Sequence, residues 1–282
     1  MFDWLRKRPL LDPAASDWLF DAFAWALRTF GSDHFRSATV LVEPSDRHFP
    51  DRIKEPGALA MKLFERVRAH AGMQGWPCKL ALQEDDPRIH VASTVLIKGA
   101  PQGPAGTFRL IASSDGAGRQ ALITINPKKL HDPEGLIATY AHELAHYLAH
   151  SVDAPPPGGE ACEELATDVL AIVNGFGLFI ANTSFRFQQF QSGTVQGWSV
   201  GNQGYLNRFE ATYALAIFCA LKAIPSRQVE RHLQRGLIPI YRRAAREVAA
   251  APALLALRAI ESARNPGGMR PFPAAWSAVE VG

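Results

Sequence analysis

The pentapeptide His-Glu-Leu-Ala-His at residues 142–146 constrains the fold of this 282-residue chain more than any other segment. On an α-helix, two histidines four residues apart lie on one face, separated by about 40° around the axis. Glu143 borders that face, and this arrangement is suited to bind Zn²⁺ and to activate a water molecule bound to it. The segment therefore predicts a helix that buries one side and leaves its histidine side to a metal ion and a ligand.

The residues around the pentapeptide predict where this helix begins. Asp132 is a suitable N-cap, Pro133 fits the first helical position, and Glu134 stands at the positive end of the helix dipole. Apolar side chains occupy the arc opposite the histidines: Leu136, Ile137, Tyr140, Leu144, Tyr147 and Leu148. The alternative is a core helix whose histidines only satisfy hydrogen bonds.

A zinc ion held by two histidines needs a third protein ligand and an open position for water. A turn rich in proline and glycine, residues 151–159, ends the first helix, and the following stretch again has a helical pattern. There Glu164 and Asp168 share a face at i,i+4 spacing, whereas Glu163 points about 100° away. We predict Glu164 as the third ligand, and Asp168 as the acceptor of a hydrogen bond from the outer nitrogen of His142.

Other nearby side chains fit a ligand role less well. His150 is two helical turns, about 12 Å, from His142, so one zinc ion cannot bind both of them together with the histidine between. We interpret His150 as a cation or hydrogen-bond partner at the helix C-terminus. Cys162 faces away from the predicted ligand and is interpreted as a small buried residue, and Glu160 and Glu163 as a solvated first helical turn.

The HELAH segment, followed eighteen residues later by Glu-Leu-Ala-Thr-Asp, resembles the gluzincin branch of the zincin metallopeptidases. This resemblance implies a zincin-like fold, one catalytic zinc ion and hydrolysis of peptide bonds. Carried over by position, it implies zinc ligands at His142, His146 and Glu164. It further implies a general base at Glu143 and a supporting carboxylate at Asp168.

The surrounding sequence predicts an α+β fold in which a small mixed sheet precedes the two metal-site helices and a largely helical C-terminal part follows. Strands are predicted at residues 78–83, 91–98, 107–112 and 121–126, the last two joined as a hairpin. We divide the chain into an N-terminal helical and irregular segment (1–56), a zincin-like core (57–190) and a C-terminal helical subdomain (191–282). An edge of the sheet beside the metal helix is suited to pair with an extended peptide, unless the N-terminal helix covers it.

Several longer segments are predicted from periodicity. Residues 17–30 form an apolar helix expected to dock on the main body, and residues 57–73 form an amphipathic helix. Residues 175–204 are expected to be a long connection whose aromatic side chains fasten it to the core rather than line a substrate pocket. Residues 206–223 and 226–250 are each expected to form one helix, the second capped by Ser226.

Composition limits the partners and the compartment. The net charge of +3 is too small to indicate a nucleic-acid partner, and three scattered cysteines do not form a disulfide framework. The N-terminus lacks the apolar run of a signal peptide, and the most apolar stretches, 169–181 and 211–224, are too short or too interrupted to span a bilayer. We therefore expect a cytoplasmic protein without a membrane partner, and the oligomeric state stays open.

Three functions remain compatible with the sequence. The first is a zinc metallopeptidase that acts on a peptide or protein substrate. The second is a zinc-bearing regulatory or binding module without proteolytic activity, and the third is a hydrolase of another amide or ester. Glu143 favours an enzyme, because a structural zinc site does not need a base beside an open metal position. Tyr205 and His232 are candidates for stabilising an oxyanion, with ordinary packing as the alternative.

Overall fold

The structure, a computed structural model, describes residues 8–82, 106–112, 119–190 and 205–260. Helices dominate this part of the chain. They are α1 (Pro13–Phe30), α2 (Ser32–Ser37), α3 (Pro56–His70), α4 (Pro133–Ala149), α5 (Glu163–Ala171), α6 (Gly177–Phe190), α7 (Arg208–Leu221), α8 (Ser226–Glu230), α9 (Ile238–Ala250) and α10 (Pro252–Arg258). Short 3₁₀ turns precede α4, α5 and α9 at Pro127–Lys129, Gly159–Cys162 and Arg235–Leu237.

A small mixed sheet accompanies these helices, so the fold is α+β as predicted. Its described strands are β1 (Cys78–Leu82), β2 (Gly106–Ala112) and β3 (Arg119–Ile125), in the order β1-β3-β2. β3 runs parallel to β1 and antiparallel to β2, with Gly106 of β2 opposite Ile125 of β3. The three corresponding predictions are confirmed to within two residues, and the pairing of β2 with β3 agrees with the predicted hairpin. The predicted strand at 91–98 lies outside the described residues.

The helix that carries the histidine pair, α4, contacts other helices as well as the sheet. Asp132 caps it by accepting a hydrogen bond from the backbone nitrogen of Gly135 at 3.0 Å, and Pro133 is its first residue, which confirms the predicted start. α4 packs against α3, α5, α6 and β2. Its predicted apolar arc is buried, but His142 and Glu143, each 6% exposed, are buried as well. The histidine side of α4 is therefore covered at His142 and Glu143, whereas His146 is only partly buried.

The N-terminal helix docks on the body of the protein, as predicted. α1 buries Leu19 and Phe23 and packs against α5, α7 and α10. Two tryptophans on α1 also reach the turn between α4 and α5. The indole nitrogen of Trp18 donates to the carbonyl oxygen of Pro157 at 2.9 Å, and that of Trp25 donates to Ala154 at 3.0 Å.

The prediction of a long connection from residue 175 is wrong for its first half, which is helical. A π-helical turn, Ile172–Phe176, joins α5 to α6, and Gly175 within it has φ +102°. The carbonyl oxygen of Gly175 accepts a hydrogen bond from the backbone nitrogen of Val42 at 2.9 Å. The glycines that suggested a loop therefore accommodate a local distortion of a helix that continues. The aromatic residues Phe176 and Phe179 are buried, which confirms core packing for these two. Residues 191–204, and the side chains of 186–190, are outside the described structure.

The prediction of one helix over residues 226–250 is also wrong. α8 ends at Glu230, and α9 begins only at Ile238, after the 3₁₀ turn. Pro239 lies in the first turn of α9, where its missing N–H costs nothing, whereas it would break the interior of a longer helix. Ser226 does not cap α8, because Pro225 occupies the N-cap position and no side-chain bond is made there. The predicted helix over 206–223 corresponds to α7, which starts with a capping box between Asn207 and Glu210.

Buried side chains from all three predicted segments join one hydrophobic cluster that extends from Leu11 to Ile260. The division of the chain into domains stays a prediction. The helical run Gly159–Phe185 is longer than expected and is apolar enough to cross a bilayer, but 89% of its most apolar window is buried within the protein. Such burial is typical of the core helix of a folded domain, so this run is weak support for a membrane span.

Candidate metal centre

α4 and α5 bring two imidazole nitrogens and one carboxylate oxygen together. The Nε2 atoms of His142 and His146 are 3.1 Å apart. Oε2 of Glu164 lies 3.2 Å from Nε2 of His142 and 3.4 Å from Nε2 of His146. The structure thus places the three residues predicted as ligands at the corners of one small triangle, which we call the inner triangle.

The size of the inner triangle fits a zinc ion. Zinc binds nitrogen and oxygen ligands at about 2.0–2.1 Å in tetrahedral geometry, so two of its ligands are about 3.3 Å apart. The three edges, from 3.1 to 3.4 Å, match that separation. A carboxylate and two imidazoles are also a donor set that zinc accepts.

Hydrogen bonds on the outer side of each imidazole leave Nε2 as the atom that faces the triangle. Nδ1 of His142 lies 2.9 Å from Oδ1 of Asp168, as predicted, and donates to this carboxylate. Nδ1 of His146 lies 3.4 Å from the hydroxyl oxygen of Thr167. Since that hydroxyl donates to the carbonyl oxygen of Glu163 at 2.9 Å, it accepts from His146. Both imidazoles are therefore held in the tautomer that a metal ligand requires.

Asp168 connects the inner triangle to the start of α7. It is 4% exposed, and its second oxygen, Oδ2, accepts a hydrogen bond from the backbone nitrogen of Leu206 at 2.9 Å. This bond fixes the chain beside Tyr205, whose ring centroid lies 5.1 Å from that of His142. One buried carboxylate thus orients a candidate ligand and positions the neighbouring segment.

The centre concentrates negative charge that needs a cation. Burial lowers the pKa of His142, but hydrogen bonds with Asp168 and Glu164 outweigh it and raise the pKa to about 10. Burial raises the pKa of Glu164, yet its hydrogen bonds with His142 and His146 hold that pKa well below the ordinary value. Buried carboxylates are stable only when they are compensated. Here the compensating charge is a proton on His142 or a metal ion in its place.

Glu143 lies buried next to the triangle, under the first described residue of β2. Its Oε1 is 3.3 Å from the position that a Cβ atom on Gly106 would take. Burial raises the pKa of Glu143, His142 and His146 lower it, and Glu164 raises it again, with a net increase. A carboxylate with a raised pKa is a better proton acceptor than one in water.

Of the two residues considered for an oxyanion, the structure brings only Tyr205 to the centre. Although Tyr205 is 45% exposed, its partial burial and the carboxylates of Glu164, Glu143 and Asp168 raise its pKa, so its hydroxyl keeps its proton at neutral pH. His232 lies instead near Glu43, with 3.8 Å between Nε2 and Oε2.

The remaining candidates are placed largely as predicted. Nδ1 of His150 donates to the carbonyl oxygen of His146 at 3.0 Å, which confirms His150 as a hydrogen-bond partner at the end of α4. Cys162 is buried and Glu160 is exposed, as expected. Glu163 is half-exposed, but its carboxylate faces His150 rather than solvent alone, with Oε1 3.8 Å from Nε2.

Sequence reasoning missed three residues that shape the centre. Thr167 follows Glu164 by three residues, so helical spacing alone could have indicated its contact with His146. Gly106 and Phe108 carry no comparable signal. The ring of Phe108 lies parallel to that of His146, at 11° between planes and 6.3 Å between centroids, and this follows only from the placement of β2 on α4.

Comparison with known proteins adds no relative: no family model, no curated protein and no solved structure matches this chain. The resemblance to zincins therefore rests on the two sequence motifs.

Proposed function

We propose that this protein is a zincin-like metallopeptidase that hydrolyses peptide bonds at a zinc ion held by His142, His146 and Glu164. The observation that carries the proposal is the inner triangle, whose edges of 3.1 to 3.4 Å have the size of a zinc coordination shell. Asp168 and Thr167 support it by holding the outer nitrogens of both imidazoles.

Each residue around the triangle has a distinct task in this mechanism. When bound, zinc supplies a Lewis acid that polarises the scissile carbonyl and makes water more acidic. Glu143 accepts the proton of the attacking water, and its raised pKa suits both this step and delivery of the proton to the leaving amine. Tyr205, which stays protonated, donates a hydrogen bond to the oxyanion that develops on the substrate carbonyl.

The sheet offers a means to bind an extended peptide. Among the described strands, β2 pairs on one side only, with β3. Its start at Gly106 adjoins Glu143, and Phe108 lies beside His146. A peptide paired with β2 would run past the catalytic groups, with main-chain hydrogen bonds supplying affinity. The helix α1, the alternative cover for this edge, has its main contacts with α5, α7 and α10.

A zinc-bearing module without activity is the second candidate function. It would account for the inner triangle but not for the buried carboxylate of Glu143, whose pKa is raised. Burying such a group costs folding free energy, and a structural zinc site has no use for it. A hydrolase of another amide or ester would use the same groups, and only the substrate would distinguish it.

The decisive experiment compares Glu143→Gln with the unaltered protein. We expect the variant to bind the same amount of zinc, measured by elemental analysis, and to lose cleavage of a peptide library by several orders of magnitude. Glu160→Gln is the matched control, because Glu160 carries the same charge but is exposed. Equal cleavage by both variants would exclude Glu143 as the base, and zinc binding without cleavage in the unaltered protein would favour the inactive module.

A further inference from the structure

A second set of candidate metal ligands lies one helical turn further along α4. It consists of His146, His150 and Glu163, and one ligand atom from each lies within 4.8 Å of the others. We call it the outer set. It shares only His146 with the inner triangle, and the proposed hydrolysis uses neither His150 nor Glu163.

The orientation of His150 makes one of its nitrogens available. Its Nδ1 donates to the carbonyl oxygen of His146 at 3.0 Å, so Nε2 carries a lone pair in the neutral imidazole. Nε2 lies 3.8 Å from Oε1 of Glu163, too far for a hydrogen bond between them. The gap is about 0.5 Å longer than the separation of about 3.3 Å between two ligands of one tetrahedral zinc ion, so these two exposed side chains would move together when they bind one.

The outer set is also accessible from solvent. The side chains of His150 and Glu163 are each 42% exposed, and both line a cavity of about 330 Å³ together with Trp25 and Thr167. Water molecules can enter there and complete the coordination of an ion. The same exposure weakens binding, because flexible side chains must be ordered when they coordinate.

We propose that His146, His150 and Glu163 form a second, weaker site for a divalent transition-metal ion such as zinc. Because His146 belongs to both sets, an ion in the outer set competes with one in the inner triangle for the same imidazole. The competing explanation is a plain ion pair between a protonated His150 and Glu163, which requires no metal.

The first test removes the inner triangle and keeps the outer set. We expect the double variant His142→Ala with Glu164→Ala to bind one zinc ion more weakly than the unaltered protein in isothermal titration calorimetry. Adding His150→Ala should abolish this binding, whereas adding Glu160→Ala, at an exposed carboxylate on the preceding turn, should not. A folded double variant that binds no zinc, or whose binding survives the loss of His150, would overturn the proposal.

A second measurement does not depend on the folding of that variant. In the unaltered protein, nitrogen NMR should show the Nε2 resonance of His150 shifting as zinc is added in excess, and Glu163→Gln should remove the shift. An unmoved His150 resonance would refute the outer site. Both tests measure metal binding and not hydrolysis. Failure of the second metal site can therefore be told apart from failure of the proposed peptidase activity.

Discussion

Replacing Asp168 by asparagine tests how the metal centre is supported, because the substitution keeps the size of the side chain and removes one acceptor. In the native protein, Oδ1 accepts from Nδ1 of His142 and Oδ2 accepts from the backbone nitrogen of Leu206, both at 2.9 Å. An asparagine has one oxygen for these two donors, and its amide group must face the other one. The cost therefore depends on which donor loses its acceptor.

Each orientation of the new amide has a defined consequence. If the oxygen stays on Leu206, the amide faces His142 and forces its proton onto Nε2, the atom of the inner triangle. Zinc affinity then falls by about 10–100-fold, or roughly 1.4–2.7 kcal/mol. If the oxygen stays on His142, the buried N–H of Leu206 is left unpaired, which lowers the free energy of unfolding by about 1–3 kcal/mol.

Competition with a chromogenic chelator measures the zinc affinity, and denaturant unfolding of the metal-free protein measures the stability. We expect Asp168→Asn to lower the zinc affinity, the stability or both. Asp168→Ala should lower both quantities further. Asp153→Asn is the matched control, because this aspartate is exposed in the turn after α4. If Asp168→Asn kept both the zinc affinity and the stability of the Asp153→Asn control, the supporting role of Asp168 would be refuted.

Three further predictions concern single side chains. Glu164→Ala should weaken zinc binding more than Asp168→Asn, because it removes a corner of the inner triangle; an unaltered zinc affinity would move the third ligand to another acid of the same turn. Tyr205→Phe should lower kcat by roughly 10²-fold with a smaller change in KM, measured by steady-state peptide cleavage, and an unchanged kcat would return Tyr205 to a packing role. Gly175→Ala should destabilise the protein by about 2–4 kcal/mol in denaturant unfolding, because φ is +102° and the added Cβ would overlap the carbonyl oxygen of Val40. Gly159→Ala, at φ +61° with open space around it, should cost only the conformational part, about 1–2 kcal/mol, and equal losses at the two glycines would contradict the steric argument.

Local signals made α4 and the residues of the inner triangle predictable. The cap at Asp132, the proline at the first position and the spacing of His142 and His146 all act within one or two helical turns. The pairing of Glu164 with Asp168 also depends on helical spacing. The relation between the two helices could be inferred because the intervening turn is short.

Other features depend on contacts between distant parts of the chain, which periodicity does not encode. Gly106 lies over Glu143 because β2 packs on α4, and Tyr205 reaches His142 because Asp168 holds the next residue. The errors at 175–190 and 226–250 have opposite origins. The loop prediction treats Gly175 as a helix breaker, although a π-helical turn accommodates it. The single helix over 226–250 disregards the usual preference of Pro239, which lies in the first turn of a new helix.

The two indole hydrogen bonds from α1 have a consequence for metal retention. Trp18 and Trp25 bond to carbonyl oxygens 139 and 129 residues further along the chain, in the turn that joins α4 to α5. If α1 detached, this turn would lose two of its attachments, and we expect the proposed ligands on α4 and α5 to lose their spacing. The rate at which zinc dissociates from the proposed site would then report on the attachment of a helix that contributes no ligand to it.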